Sequence, residues 1–319
     1  MLKRTMLKRT TVALCSLLVL SCPSWAADPD SCKAVRFSDV GWTDITSTTA
    51  TASVILKALG YEPEKIMVSV PVTYMSMKNK DIDVFMGDWE PSMKSVRQPY
   101  IDDKSIEVYG PTLTGAKYTF AVPKYVAEAG VKDFADLQKF KDKFGTQIFG
   151  IEPGNDGNKL ILDILEKGDF GLKDWTLVES SEQGMLSQVG RAIRNKEWIV
   201  FLGWAPHPMN STYEIEYLSG GDAYFGPNFG GANVYTNVRA GYVAECPNVG
   251  KFLTNLQFTL EMENEVMSGI LNDGKEPDAA AADWLKKNLS AMKPWLEGVT
   301  TIDGKPAEPA IVAMLAGGN

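Results

Sequence analysis

Apolar and polar positions along the chain change period repeatedly. Short apolar runs of strand length alternate with stretches whose apolar residues recur every three or four positions, the spacing of one helix face. Residues 34–40 read as a strand, followed by the turn Gly41-Trp42-Thr43-Asp44 and a helix over 46–59 that Gly60 stops. Residues 66–70 read as a second strand and 72–79 as a helix. Residues 82–87 form a third, buried strand that runs into Asp88-Trp89-Glu90-Pro91. A β-α-β-α-β order predicts a parallel sheet wrapped by helices.

The same grammar restarts near Lys117. Strands are expected at 118–122, 146–151, 175–179 and 198–203, with helices at 133–140, 159–166 and 183–195. Beyond the Gly/Asn-rich stretch 220–231, residues 234–244 read as another strand, and the last third is helical, ending with 279–289. The two sets echo one another. Asp83-Val-Phe-Met-Gly-Asp-Trp-Glu-Pro91 and Ile199-Val-Phe-Leu-Gly-Trp-Ala-Pro206 each place Gly, Trp and Pro just after an apolar strand. The turn at Gly41–Asp44 likewise matches Gly154-Asn155-Asp156, each leading into a helix. Either the echo is a coincidence of short motifs, or the chain has two similar α/β lobes. In open α/β sheets, ligands sit outside the carboxyl ends of the strands, so two such lobes would hold a ligand between them.

The N-terminus follows a different pattern. Residues 2–10 are basic, residues 11–20 form a short apolar run, and Ser24 and Ala26 occupy the −3 and −1 positions of a cleavage site. This predicts a secretory signal peptide over 1–26, too short for a comfortable membrane span. An uncleaved anchor and lipid attachment at Cys22 are the alternatives. The leader carries four Lys/Arg and no acid, so its removal takes the chain from a net charge of −8 to −12. So acidic a body repels phosphates, and no nucleic-acid partner is expected. Of the four cysteines, Cys15 and Cys22 leave with the leader. Cys32 and Cys246 remain as one disulfide or as two free thiols.

Chemistry concentrates at the strand ends. Trp42, Trp89 and Trp204 stand in loops that follow strands, and Tyr118 sits where the second set begins. Each alone reads as a packing aromatic. Rings that converge on one point suit a soft cation without hydrogen-bond donors, a quaternary ammonium. A phosphate site would call for Gly-rich helix N-termini and Arg instead. Asp44, Asn155 and Asp156 precede or begin helices, where capping is the plain reading. The single histidine, His207, follows Pro206 in a loop and reads as incidental. Glu90 reads as solvated or paired, and Met262, Val266, Met267 and Ile270 as core.

Val40-Gly-Trp-Thr-Asp44, Gly87-Asp-Trp-Glu-Pro91, Lys117-Tyr118, Glu152-Pro-Gly-Asn155 and Gly203-Trp-Ala-Pro206 occur in that order across the body of the chain. In this the chain resembles the periplasmic substrate-binding proteins of ABC importers for choline and betaines, most closely those for choline. The resemblance implies an α/β type II periplasmic-binding-protein fold, two lobes with a ligand cleft between them. Lobe I would comprise residues 27–113 and 230–319, and lobe II residues 114–229, with crossings near 111–117 and 226–233. It implies a cage of Trp42, Trp89, Tyr118 and Trp204, with Asp44 and Asn155 as polar partners of the ligand, and a Cys32–Cys246 bridge. Choline is the expected ligand, with acetylcholine as a further one and betaine bound weakly. An ABC permease is the expected partner of a monomeric, periplasmic protein without cofactor or metal. Asp44 favours choline, because it accepts a hydroxyl hydrogen and repels the carboxylate of glycine betaine.

Three alternatives stay open at this level. A glycine betaine or proline betaine receptor would use the same cage. A non-transport sensor would use the same fold. A secreted hydrolase of choline esters lacks support, since no Gly-x-Ser-x-Gly elbow or metal-ligand cluster occurs.

Overall fold

A computed structural model describes residues 28–317; the expected leader over 1–26, with Cys15 and Cys22, lies outside the described residues. Numbering only the longer helices, the chain begins with β1 (Ala34–Asp39), α1 (Thr43–Ala58), β2 (Glu62–Met67), α2 (Val70–Lys78), β3 (Val84–Glu90) and α3 (Lys94–Asp102). There follow β4 (Ile106–Pro123), β5 (Gln147–Phe149), α4 (Asp156–Lys167), β6 (Thr176–Val178), α5 (Glu182–Asn195), β7 (Phe201–Ala205), β8 (Ile215–Tyr217) and β9 (Gly231–Arg239). Four helices complete the chain: α6 (Pro247–Asn255), α7 (Leu260–Leu271), α8 (Pro277–Lys287) and α9 (Ala307–Ala316).

The strands form one mixed sheet in the order β2-β1-β3-β9-β4-β7-β5-β6, with β8 pairing β4. Its two ends repeat one design. β1 pairs in parallel with β2 and β3, and β5 pairs in parallel with β6 and β7. A long strand then runs antiparallel beside the third member of each set, β9 beside β3 and β4 beside β7. The echo in the sequence is therefore structural. Trp89 and Trp204 are the penultimate residues of β3 and β7, inside the strands rather than in the loops beyond them as expected, and Glu90–Pro91 and Ala205–Pro206 are both cis.

α1 begins at Thr43 rather than at residue 46, and the strand expected over 234–244 lies at Gly231–Arg239, with a helical turn at Tyr242–Glu245. Three elements depart further from the sequence pattern. β2 lies at residues 62–67 rather than 66–70, because it is an edge strand with mostly exposed or half-exposed residues and carries no apolar signal. Val68 and Ser69 lead into α2, which Val70 begins. β4 extends far upstream of Tyr118, through a bulged pairing with β9 that interrupts the alternation expected of a strand. Residues 133–140 break into a capped single turn, Phe134–Leu137, followed by a 3-10 turn.

α1 is buried on nearly every side, between the sheet and helices α7 and α8. Its Ser and Thr residues are tolerated there because their hydroxyls bond back to the preceding turn: Ser47 donates to the Asp44 carbonyl at 2.8 Å and Thr51 to that of Ser47 at 2.8 Å. Met262, Val266 and Met267 of α7 are core, as expected, and Ile270 packs partly buried against it.

Cys32 and Cys246 form a disulfide with Cα atoms 5.6 Å apart. It ties the segment before β1 to the start of α6, at the opposite end of β1 from the Gly41–Asp44 turn. Closing a loop of 214 residues removes about 5 kcal/mol of chain entropy from the unfolded state by the ideal-chain formula, an upper estimate. Cys246→Ser should lower the melting temperature by roughly 5 °C. Ligand affinity should stay within twofold of wild type, and calorimetric scans with and without ligand measure both.

Candidate functional site

The turn after β1 is fastened by Asp39, whose carboxylate accepts the Gly41 N–H at 2.8 Å and the Thr46 hydroxyl at 2.9 Å. Gly41 adopts φ +82°, which a side chain disfavours, and the turn delivers Trp42 to the N-cap position of α1. On the other half of the sheet, Asn155 caps α4: its side chain accepts the Asn158 N–H at 3.1 Å. Tyr118 and Trp204 are cross-strand partners on β4 and β7. Gly157 lets Tyr118 lie against the start of α4, since a Cβ there would come within 1.9 Å of the Tyr118 hydroxyl.

These four segments, with the end of β3, enclose a cavity lined by Trp42, Asp44, Trp89, Tyr118, Ile151, Asn155, Asp156 and Trp204. The space left for a water-sized sphere between them is about 20 Å³, so the walls stand close together. All six residues singled out in the sequence line it, and all are buried. Tyr118 lies between two indoles, 6.0 Å from Trp89 and 6.4 Å from Trp204, centroid to centroid. Side-chain bonds hold the rings in place. The Trp89 indole N–H donates to Asp44 at 3.1 Å, that of Trp42 to Glu152 at 2.8 Å, and the Tyr118 hydroxyl to Asn155 at 3.0 Å. Capping is thus the true local role of Asn155, and it coexists with a place in the cavity wall.

The electrostatics run one way. Burial raises the Asp44 carboxyl to about 8, with nearby Glu182 adding to the rise; the Trp89 N–H and the backbone N–H groups of Asp44 and Ile45 oppose it. Burial likewise raises Glu152 to about 7 against the Trp42 N–H, and Asp156 to about 6 against the Ser92 hydroxyl and nearby backbone N–H groups. Glu263, on α7, is pushed well above the usual carboxylate range by burial and by Asp44. Asp156 keeps one carboxyl oxygen without a hydrogen-bond partner. Among the described residues, no Lys or Arg lines the cavity. Arg97 is held by Asp88 at 2.5 Å and by Glu90, which is therefore paired. The arrangement favours a compact cation with apolar faces and disfavours an anion.

His207 is not incidental. It is 2% exposed, stands edge-on 5.0 Å from the Trp204 ring, and its Nε2 lies 3.1 Å from Glu182. Glu152, Glu182 and Glu263 were not anticipated from the sequence. Each reads locally as a surface or helix-turn acid, and only the packing brings them round the cavity.

A family model described as the substrate binding domain of ABC-type glycine betaine transport systems matches residues 33–287. Among solved structures, an ABC-transporter choline binding protein in complex with choline is 60% identical, with a TM-score of 0.89. That likeness covers 90% of this chain and all of the other. Lactococcal OpuAC, closed around glycine betaine, is 30% identical with a TM-score of 0.75, over 82% of this chain and 98% of that one. The uncharacterized protein ORF1 of Chromohalobacter salexigens is 50% identical over 153 residues, 48% of this chain and 97% of that protein. With its sheet, paired strand-end loops and enclosed aromatic cavity, the chain belongs to the family of substrate-binding domains of ABC-type glycine betaine transport systems.

Proposed function

We propose that this protein binds choline with high affinity in the periplasm and delivers it, chemically unchanged, to the permease of an ABC importer. The observation that carries the reading is a cavity of four aromatic rings and two carboxyl side chains with no basic residue in its wall. A trimethylammonium head spreads its charge over methyl groups and has no ordinary hydrogen to donate. Ring faces attract the charge and bury the methyls together. At roughly 0.5–2 kcal/mol per ring, four rings supply about 2–8 kcal/mol. Micromolar binding needs about 8 kcal/mol in total, so the rings with one or two hydrogen bonds suffice in scale.

Asp44 sets the order among related cations. It accepts the choline hydroxyl hydrogen, which acetylcholine lacks, so acetylcholine binds more weakly. The carboxylate of glycine betaine would meet Asp44 and Asp156 without an Arg or Lys to receive it. The family's description and the glycine betaine held by lactococcal OpuAC speak for that second ligand; the acidic wall of this cavity speaks against it.

The cage is taken to be split between two lobes, residues 27–113 with 230–319 and residues 114–229. Trp42, Asp44 and Trp89 belong to the first, and Tyr118, Asn155 and Trp204 to the second. The repeated strand order at the two ends of the sheet supports this division, as does the passage of only β4 and β9 between them. Contacts made only when the lobes close let the ligand drive closure. A cleaved leader would carry the chain to the periplasm as a monomer.

Calorimetry of the mature protein should rank choline above acetylcholine and both above glycine betaine; a preference for glycine betaine would refute the assignment. Trp204→Ala should weaken choline by about 5- to 150-fold through lost cation–π attraction and methyl burial. The pH dependence follows from the carboxyls. A bound cation depresses their pKa values, so affinity is complete above the ligand-free values and is lost as pH falls toward the bound ones. With Asp44 near 8, Glu152 near 7 and Asp156 near 6, choline binding should weaken steadily from pH 8 to pH 5. Asp44→Asn should flatten the upper part of that titration and narrow the margin of choline over glycine betaine.

A further inference from the structure

α1 starts without a cap of its own. Its N-cap residue is Trp42, which makes no side-chain capping bond, although the helix runs for 16 residues. The N–H of Thr43 is taken instead by Glu182, 139 positions later, at 2.8 Å, and the Thr43 hydroxyl donates to the same carboxylate at 2.5 Å. Glu182 is the first residue of α5, on the other half of the sheet, and is 1% exposed. A third donor holds it from its own side. His207 Nδ1 accepts the Met209 N–H at 2.9 Å, so the ring hydrogen sits on Nε2 and points to Glu182 at 3.1 Å. The carboxylate also meets the positive end of the α1 dipole. None of Thr43, Glu182 and His207 lines the cavity.

We propose that Glu182, oriented by His207, is a closure latch: a positioning residue that caps α1 across the cleft only when the lobes are shut, and so sets how long the ligand stays. The inference rests on the two-lobe reading above. With the cleft open, both the Thr43 N–H and the Glu182 carboxylate are hydrated, and the cap contributes nothing. With it closed, both are dry, and three donors converge on one carboxylate. A contact unique to the closed state shifts the balance toward that state without touching the ligand. Its loss therefore appears in the rate of opening and release, because encounter takes place with the open form.

Stopped-flow tryptophan fluorescence on wild type, Glu182→Gln, Thr43→Val and Thr43→Ser tests this, using choline, or glycine betaine if that is what the wild type binds. Glu182→Gln should raise the dissociation rate about tenfold and Thr43→Val about threefold, as expected for loss of hydrogen bonds to a charged group. Thr43→Ser, which keeps the hydroxyl, should stay within twofold of wild type. Association rates and the ligand-free melting temperature should be unchanged in all three, which a merely structural role for Glu182 would not allow. Unchanged dissociation in both Glu182→Gln and Thr43→Val overturns the latch alone. A lowered ligand-free melting temperature with normal release does so too. A wild-type protein that binds neither ligand overturns the transport reading and the latch together.

Discussion

The structure is organised around carboxyl groups gathered in a dry space with no base in the cavity wall to answer them. Taking a carboxylate out of water without a partner is costly, and ionisable groups respond by holding their protons. Asp44, Asp156 and Glu152 all do so round the cavity. A cation enclosed there supplies the missing charge, and the aromatic faces ensure that the preferred cation is one sheathed in methyl groups. An anion finds no such welcome, and a hydrated metal ion would lose water to rings that cannot replace it.

This inverts what helix N-termini ordinarily do. The starts of α1, α4 and α5 all approach the cavity, and helix starts favour anions. Here each start carries an acid of its own: Asp44 on α1, Asp156 on α4 and Glu182 on α5. Of these, Asp44 and Asp156 line the cavity, where an enclosed cation would favour their charged forms, and Glu182 stands behind them. Helix starts that would otherwise favour an anion are thereby matched to a cation, with Asp44 and Asp156 in the cavity wall.

The same groups link the two halves of the sheet. Glu182 caps α1 and also presses on Asp44. A cation beside these two acids would relieve the repulsion between them. The Trp89–Asp44 bond lies within one wall and holds that ring oriented, whereas the Trp42–Glu152 bond joins the two halves of the sheet.

What could be read from the sequence was whatever a short segment determines by itself. An apolar strand followed by Gly and Trp places an aromatic at a strand end, and doing so three times pointed to Trp42, Trp89 and Trp204 as a set. The Gly154–Asn155 turn and the helix beyond it were legible for the same reason, since capping is local. Tertiary structure decided the rest. Reading Gly41–Asp44 as a turn with Asp44 just ahead of a helix puts the start of α1 at residue 46; in the structure it begins at Thr43, whose N–H is taken by Glu182 from across the sheet. β2 was misplaced because an edge strand has too little to bury, and the length of β4 was missed because its bulges break the alternation. Glu152, Glu182 and Glu263 were invisible because a buried acid looks like a surface acid until its neighbours are known. His207 gained its place only through a carboxylate from another helix. Aromatic type and turn chemistry are properties of neighbouring residues, whereas burial and charge balance belong to segments that meet only in the folded chain.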